Sequence, residues 1–209
     1  MDFTAERKAM VDSQVRVNDV TDRAIHLAMM AVPREKFCAP DRAFAAYSEE
    51  PVVIAGERRL MPARDVAKLL QAADAREGEK ALAIAAPYAA ALLARMGVSV
   101  TAQESDDAMF AVVGEALSDA GVTTVVAPLA QPTGEGWDLI ISEGGVESLP
   151  ESWGAALRPG GRIVVVERRG AIGKAALYVQ TREGLSRREL FDSSPAVLAE
   201  LKQAPTFAL

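Results

Sequence analysis

Between Glu79 and Val166 the chain alternates short apolar runs with stretches of helical periodicity, and this alternation constrains the fold more than any other feature. Ala81–Ile84, Val98–Gln103, Val122–Ala127, Leu139–Ser142 and Arg162–Val166 read as five brief strands. Tyr88–Met96 and Asp106–Ala120 read as helices stopped by Gly97 and Gly121, and Glu151–Leu157 as a short helix ending in the turn Arg158-Pro159-Gly160-Gly161. Strands joined through helices need crossover connections, which are right-handed and build a parallel sheet covered on both faces. After the fifth strand the pattern changes. Ala175–Thr181 and Ser186–Phe191, separated by Arg182-Glu183-Gly184, read as a hairpin. The expectation is an α/β protein whose mostly parallel sheet reaches seven strands by adding an antiparallel pair.

The first third reads differently. Glu6–Val17 is a candidate helix, and a second starts after Thr21 or Asp22 and runs to about Ala31, where Pro33 follows. Ile25, Ala28, Met29 and Val32 give that segment an apolar face. Phe37–Arg59 reads as irregular chain, and a further helix starts near Pro62 with Val66, Leu69 and Leu70 on one side. The expected organisation is a helical extension over 1–78 packed on a core over 79–209, the two forming one structural unit.

Charge and cysteine usage exclude several function classes. A formal charge of −6 over 209 residues argues against a broad nucleic-acid footprint, which needs clustered Lys and Arg. The basic pairs Arg58-Arg59, Arg168-Arg169 and Arg187-Arg188 are short and read as solvated surface. A lone cysteine, Cys38, excludes an internal disulfide and a cysteine-based zinc site and fits a reducing compartment. No apolar run approaches the roughly 18 residues a membrane helix needs, and no signal peptide is read at the N-terminus. The expected location is the cytoplasm, with no nucleic acid, membrane or metal as partner.

Several segments carry a family resemblance. Leu157-Arg158-Pro159-Gly160-Gly161-Arg162 before a Val-rich strand resembles the turn before the fifth strand of class I methyltransferases, and the terminal hairpin fits that class. Met10-Val11-Asp12-Ser13-Gln14-Val15, Val20-Thr21-Asp22 and Val32-Pro33-Arg34-Glu35-Lys36-Phe37 resemble the N-terminal signature of protein-L-isoaspartate O-methyltransferases. So does Ser142-Glu143-Gly144-Gly145-Val146-Glu147-Ser148-Leu149-Pro150. The resemblance covers nearly the whole chain. It implies a Rossmann-like class I methyltransferase fold, S-adenosylmethionine (SAM) as cofactor, and methyl transfer to isoaspartyl carboxylates. Such transfer relies on positioning rather than acid–base chemistry, so no catalytic side chain is assigned.

Two departures from the family pattern bear on function. The family places a Gly-x-Gly-x-Gly-Tyr loop after the first strand, where glycines let backbone amides approach the cofactor. Here the run is Ala81-Leu82-Ala83-Ile84-Ala85-Ala86-Pro87-Tyr88, with no glycine. The family's Ser-Gln-Pro-like segment is replaced by Arg59-Leu60-Met61-Pro62, which reads as an apolar surface and a candidate partner contact. Glu104 stands where the family's ribose-binding acid lies, or else is a polar residue at a strand end. The residues that would touch SAM are therefore Glu104, Ala85, Ala86, Ser142 and Gly144.

The remaining polar residues have plainer readings. His26 reads as a packed or surface histidine and Cys38 as a buried inert thiol. Glu143 and Glu147 read either as ligand contacts at a strand end or as exposed loop charges. Three functions stay open. One is a family member that has lost or impaired SAM binding, a pseudoenzyme kept for a structural or protein-interaction role. The second is an active carboxyl O-methyltransferase, and the third a binding module for another small molecule in the same cleft.

Overall fold

The computed structural model describes residues 2–203. Nine strands and six α-helices follow one another: α1 (Phe3–Met10), α2 (Arg23–Ala31), β1 (Val52–Val53), β2 (Arg59–Leu60), α3 (Ala63–Ala73), β3 (Lys80–Ile84), α4 (Pro87–Arg95), β4 (Ser99–Glu104), α5 (Asp107–Asp119), β5 (Thr123–Val126), β6 (Trp137–Val146), α6 (Glu151–Ala155), β7 (Leu157–Glu167), β8 (Lys174–Thr181) and β9 (Gly184–Asp192). Seven strands form the main sheet in the order β5-β4-β3-β6-β7-β8-β9. The pairs from β5 to β7 are parallel, and β8 and β9 complete the sheet antiparallel. This is the α/β architecture that the strand–helix alternation implies.

Side-chain alternation on β3 divides the interior. Ala81 and Ala83 point into a large apolar cluster that also holds Leu70, Tyr88, Leu92, Val113 and Val164. Leu82 and Ile84 point to the other face, against Ile140, Trp153, Ile163 and Val165. Small alanines on the first face let α4 lie close to the sheet; the second face is filled by the indole of Trp153, whose Nε1 donates to the Leu129 carbonyl at 2.9 Å. Met10, Ile25, Met29, Val66 and Leu69 belong to the first cluster. Residues 2–78 therefore share a core with the sheet. Their division from 79–209 remains a proposal about folding units, and residues 204–209 of that expected core lie outside the described residues.

Three local readings need correction. The first helix starts at Phe3, capped by the Asp2 carboxylate on the Thr4 and Ala5 amides, and its α-turns end at Met10. A broader i→i+5 turn over Val11–Val15 and a narrower 3₁₀ one over Arg16–Asn18 follow. Side chains back-bond to the helix here, Ser13 Oγ to the Ala9 carbonyl at 2.7 Å and Asn18 Nδ2 to the Gln14 carbonyl at 2.8 Å, and such competition bends regular helix. The segment 37–59 follows a 3₁₀ turn over Arg34–Phe37 and holds another over Pro40–Ala45, and β1 within it pairs with β2, Val52 opposite Leu60. Strand β6 does not stop at Ser142 but runs on through Gly144-Gly145, because Gly145 pairs with the chain near Val197: its amide donates to the Ala196 carbonyl and its carbonyl accepts from Leu198.

Candidate cofactor site

The sheet order reverses between β3 and β6, since the chain passes from β3 outward to β5 before returning. In open α/β sheets the crevice at the carboxyl ends of the strands flanking this reversal is where ligands bind. The expected contacts lie there. Ala85 and Ala86 follow β3, Glu104 ends β4, and Ser142 and Gly144 lie in the last part of β6.

The turn from β3 into α4 is made without glycine. Ala85 takes a left-handed conformation with φ of +53°, and its amide donates to the Gln103 carbonyl at 2.9 Å. Pro87 opens α4, as its fixed φ and missing donor allow. The next amide donors of this helix end would suit an anion, but Ala89 N–H already donates to Glu143 Oε1 at 2.6 Å. The helix terminus is thus capped from inside the chain.

Arg58 closes the other side. Its Nη1 lies 2.6 Å from Glu104 Oε2 and its Nη2 3.3 Å from Oε1, while Nη2 also donates to the Ala85 carbonyl at 2.8 Å. The reading of Arg58-Arg59 as solvated surface fails for Arg58, whose side chain is 18% exposed while that of Glu104 is 1% exposed. Burial raises the Glu104 carboxyl above its ordinary range, and the neighbouring guanidinium opposes that shift. A two-pronged guanidinium on a carboxylate matches the arrangement a ribose diol would make there.

Beneath this pair lies a buried polar group. The Glu143 carboxyl, pushed up to about 7 by burial, is no exposed loop charge. Its Oε2, Tyr88 Oη, Ser142 Oγ and Arg34 Nη1 are buried with no protein partner among the described residues. Arg34 stacks 4.7 Å from the Tyr88 ring centroid and donates to the Ala46 carbonyl at 2.7 Å and the Met61 carbonyl at 2.5 Å. Leu60 and Met61 are buried rather than surface-forming, and Met61 Sδ accepts from the Gly144 amide at 3.2 Å. They are withdrawn as a partner contact.

The five expected contact residues are thus brought together, but as packed interior. Ala85, Ala86 and Ser142 are fully buried, Gly144 is buried against Leu198, and Glu104 is held by Arg58. In this conformation the Arg58 guanidinium occupies the space between the ends of β3 and β4. Sequence reasoning missed Arg58, because nothing local to Gly56-Glu57-Arg58-Arg59 marks a partner 46 residues away. His26 Nε2 bonds the Val20 carbonyl at 2.8 Å, a packing role, and Cys38 is buried with its thiol pushed up to about 11 by burial. No group of three metal-ligating side chains occurs among the described residues, and no helix there is long and apolar enough to cross a membrane.

A parallel five-strand sheet completed by an antiparallel pair, with a ligand crevice at the reversal of strand order, defines a Rossmann-like methyltransferase fold. Residues 5–186 match the family model of protein-L-isoaspartate(D-aspartate) O-methyltransferase, and the chain belongs to that family. It is 32% identical over 206 residues to the protein-L-isoaspartate O-methyltransferase of Methylorubrum extorquens, spanning 96% of this chain and 90% of the relative. A Rhodopseudomonas palustris protein-L-isoaspartate O-methyltransferase 1 is 32% identical over 170 residues, 78% of this chain and 69% of the relative. A Plasmodium falciparum beta-aspartate methyltransferase of this family, solved with S-adenosyl-L-homocysteine, superposes with a TM-score of 0.78 at 15% identity, covering 96% of this chain and 99% of that one. Another solved protein-L-isoaspartate O-methyltransferase gives a TM-score of 0.74 at 20% identity over 93% of this chain and 67% of that one. These comparisons back the expectation of a methyltransferase over that of a structural or interaction role.

Proposed function

We propose that this chain is a methyltransferase of the isoaspartyl family whose cofactor seat is held shut by its own Arg58, so that SAM does not bind it in the micromolar range. The carrying observation is the Arg58–Glu104 pair, with its second anchor on the Ala85 carbonyl. A ribose entering here must displace a nearly buried ion pair, and removing one partner of such a pair costs about 3–5 kcal/mol. That penalty shifts a micromolar affinity to millimolar. The glycine-free turn adds two methyl groups where family members present amides. The lone buried thiol of Cys38 suits a reducing cytoplasm. Calorimetric titration with S-adenosyl-L-homocysteine tests the proposal. No saturation below about 100 μM is expected, and a low-micromolar dissociation constant overturns it.

A second reading is favoured by the relatives: an active SAM-dependent protein carboxyl O-methyltransferase acting on isoaspartyl residues. In it Arg58 swings out on the turn between β1 and β2, and Glu104, Ala85, Ala86, Ser142 and Gly144 contact the cofactor. Transfer of labelled methyl groups to an isoaspartyl peptide supports this reading, and no transfer above a blank removes it.

A further inference from the structure

We infer that a cationic cleft beside the closed seat binds an acidic peptide segment of a partner protein, one that carries several carboxylates and an apolar residue next to them. The inference rests on the closed seat of the proposed function, because Glu57 and Arg59 of the cleft flank Arg58 on the turn between β1 and β2.

The cleft has a volume of about 500 Å³, and its charged lining is Glu57, Arg59, Glu147, Arg168, Arg169 and Lys202. Four cations thus face two carboxylates in a protein whose overall charge is −6. None of the four cations lies within 4.0 Å of a carboxylate among the described residues. Elsewhere on this surface cations are commonly paired, as Lys174 is with both Glu189 and Asp192.

The guanidinium groups are positioned by backbone carbonyls instead. Arg168 donates through Nε to Gly170 at 2.9 Å and through Nη1 to Ser194 and Pro195 at 2.8 and 2.7 Å. Arg169 Nε donates to the Glu147 carbonyl at 2.7 Å, and Arg59 Nη1 to the Gly56 carbonyl at 2.9 Å. Among the described residues each arginine keeps at least one terminal nitrogen with no protein acceptor. Of the two carboxylates, Glu147 is engaged by the Gln203 amide at 2.5 Å. Such held forks recognise carboxylates with little ordering cost.

The shape selects among anions. A smaller cleft whose apolar mouth is formed by Pro51 and Pro62 shares Glu57, Arg59, Ala196 and Val197 with the cationic one. A ligand that spans both places carboxylates on one side and an aliphatic side chain on the other. A peptide does this, whereas a free inorganic anion fills only a corner of the larger cleft.

The test is fluorescence anisotropy of the full chain with a labelled peptide of four glutamates followed by leucine, at about 50 mM and 500 mM salt. Saturable binding that weakens at high salt is expected. Arg169→Glu combined with Lys202→Glu should weaken it about tenfold. Arg182→Glu combined with Arg188→Glu, the same charge change on the exposed β8–β9 hairpin, should change it by less than about twofold. The inference is overturned by equal loss in both double variants, by equal binding of the glutamine counterpart, by tighter binding of a single-stranded oligonucleotide, or by no saturation below about 1 mM.

Discussion

The guanidinium of Arg58 reaches across 46 residues of sequence to lie 2.6 Å from the carboxylate of Glu104, and the same side chain ties down the Ala85 carbonyl 2.8 Å away. One residue on the turn between β1 and β2 therefore joins the ends of β3 and β4. Replacement by alanine leaves a carboxylate that is 1% exposed without its counter-charge. Arg58→Ala should lower the unfolding free energy by about 3 kcal/mol in urea titration. The freed carboxylate should also let S-adenosyl-L-homocysteine raise the melting temperature of the variant more than that of the parent chain. Equal stability together with equal ligand response would show that the pair holds nothing shut.

Glu143 gives the fold a pH dependence of definite sign. Its carboxyl is raised by burial from 4.5 to about 7 in the folded chain. Between those values the folded state keeps a proton that the unfolded chain has released. Stability therefore falls as pH rises from about 4.5 through about 7 and stays lower above it. The full loss from this group is about 3 kcal/mol. Glu143→Gln cannot titrate, so the slope of unfolding free energy between pH of about 5 and 8 should flatten in the variant. Denaturant titrations at the two pH values read it directly, and an unchanged slope refutes the assignment.

Strand–helix alternation from β3 to β7 was legible because each strand is bounded by glycine or a helix-capping residue, and Asp106 caps α5 through its carboxylate on the Ala108 amide. The hairpin β8–β9 was legible for the same local reason. What the sequence hid is non-local. Gly144-Gly145 reads as a loop, yet a distant segment at 196–198 holds it as strand. Glu143 reads as a ligand contact at a strand end or as an exposed loop charge, but the Ala89 amide gives it a buried partner. The bend after Met10 has no proline or glycine to announce it. The residues expected at the crevice come from the family pattern, while Arg58, which packs against two of them, lies outside that pattern.

The turn that replaces the family's glycine loop is strained at one residue. Ala85 holds φ at +53°, a conformation that costs an alanine roughly 1–2 kcal/mol. Glycine removes that strain but loses about 0.5–1 kcal/mol of chain entropy on folding. Ala85→Gly should therefore be neutral to stabilising by about 1 kcal/mol. Ala85→Val, with a branched side chain at a fully buried site, should destabilise by about 2 kcal/mol or more. Paired thermal and urea unfolding of the two variants checks the ordering, and a marked loss on Ala85→Gly would show that the methyl group is needed for packing.

Arg162 is the fastener between the helical N-terminal third and the sheet. Standing on β7, it donates to the carbonyls of Ala73 and Asp74 at the end of α3, the latter at 2.9 Å. It also grips both oxygens of Glu79, at 3.0 and 2.7 Å, and reaches the Asp138 carbonyl at 3.2 Å. The Arg162 and Glu79 side chains are only 13% and 16% exposed, and the guanidinium holds the Glu79 carboxyl below its ordinary range. Alanine here orphans three carbonyls and a shielded carboxylate at once, so Arg162→Ala should lose about 3–5 kcal/mol. Lysine keeps the charge but cannot fork between carbonyls and carboxylate, and should recover less than half of that loss. Because α3 carries Leu69 and Leu70 into the shared apolar cluster, the loss should appear as one cooperative transition at lower denaturant. A first transition confined to residues 1–78, seen by hydrogen exchange, would instead mean that the extension unfolds on its own and that Arg162 only tethers it.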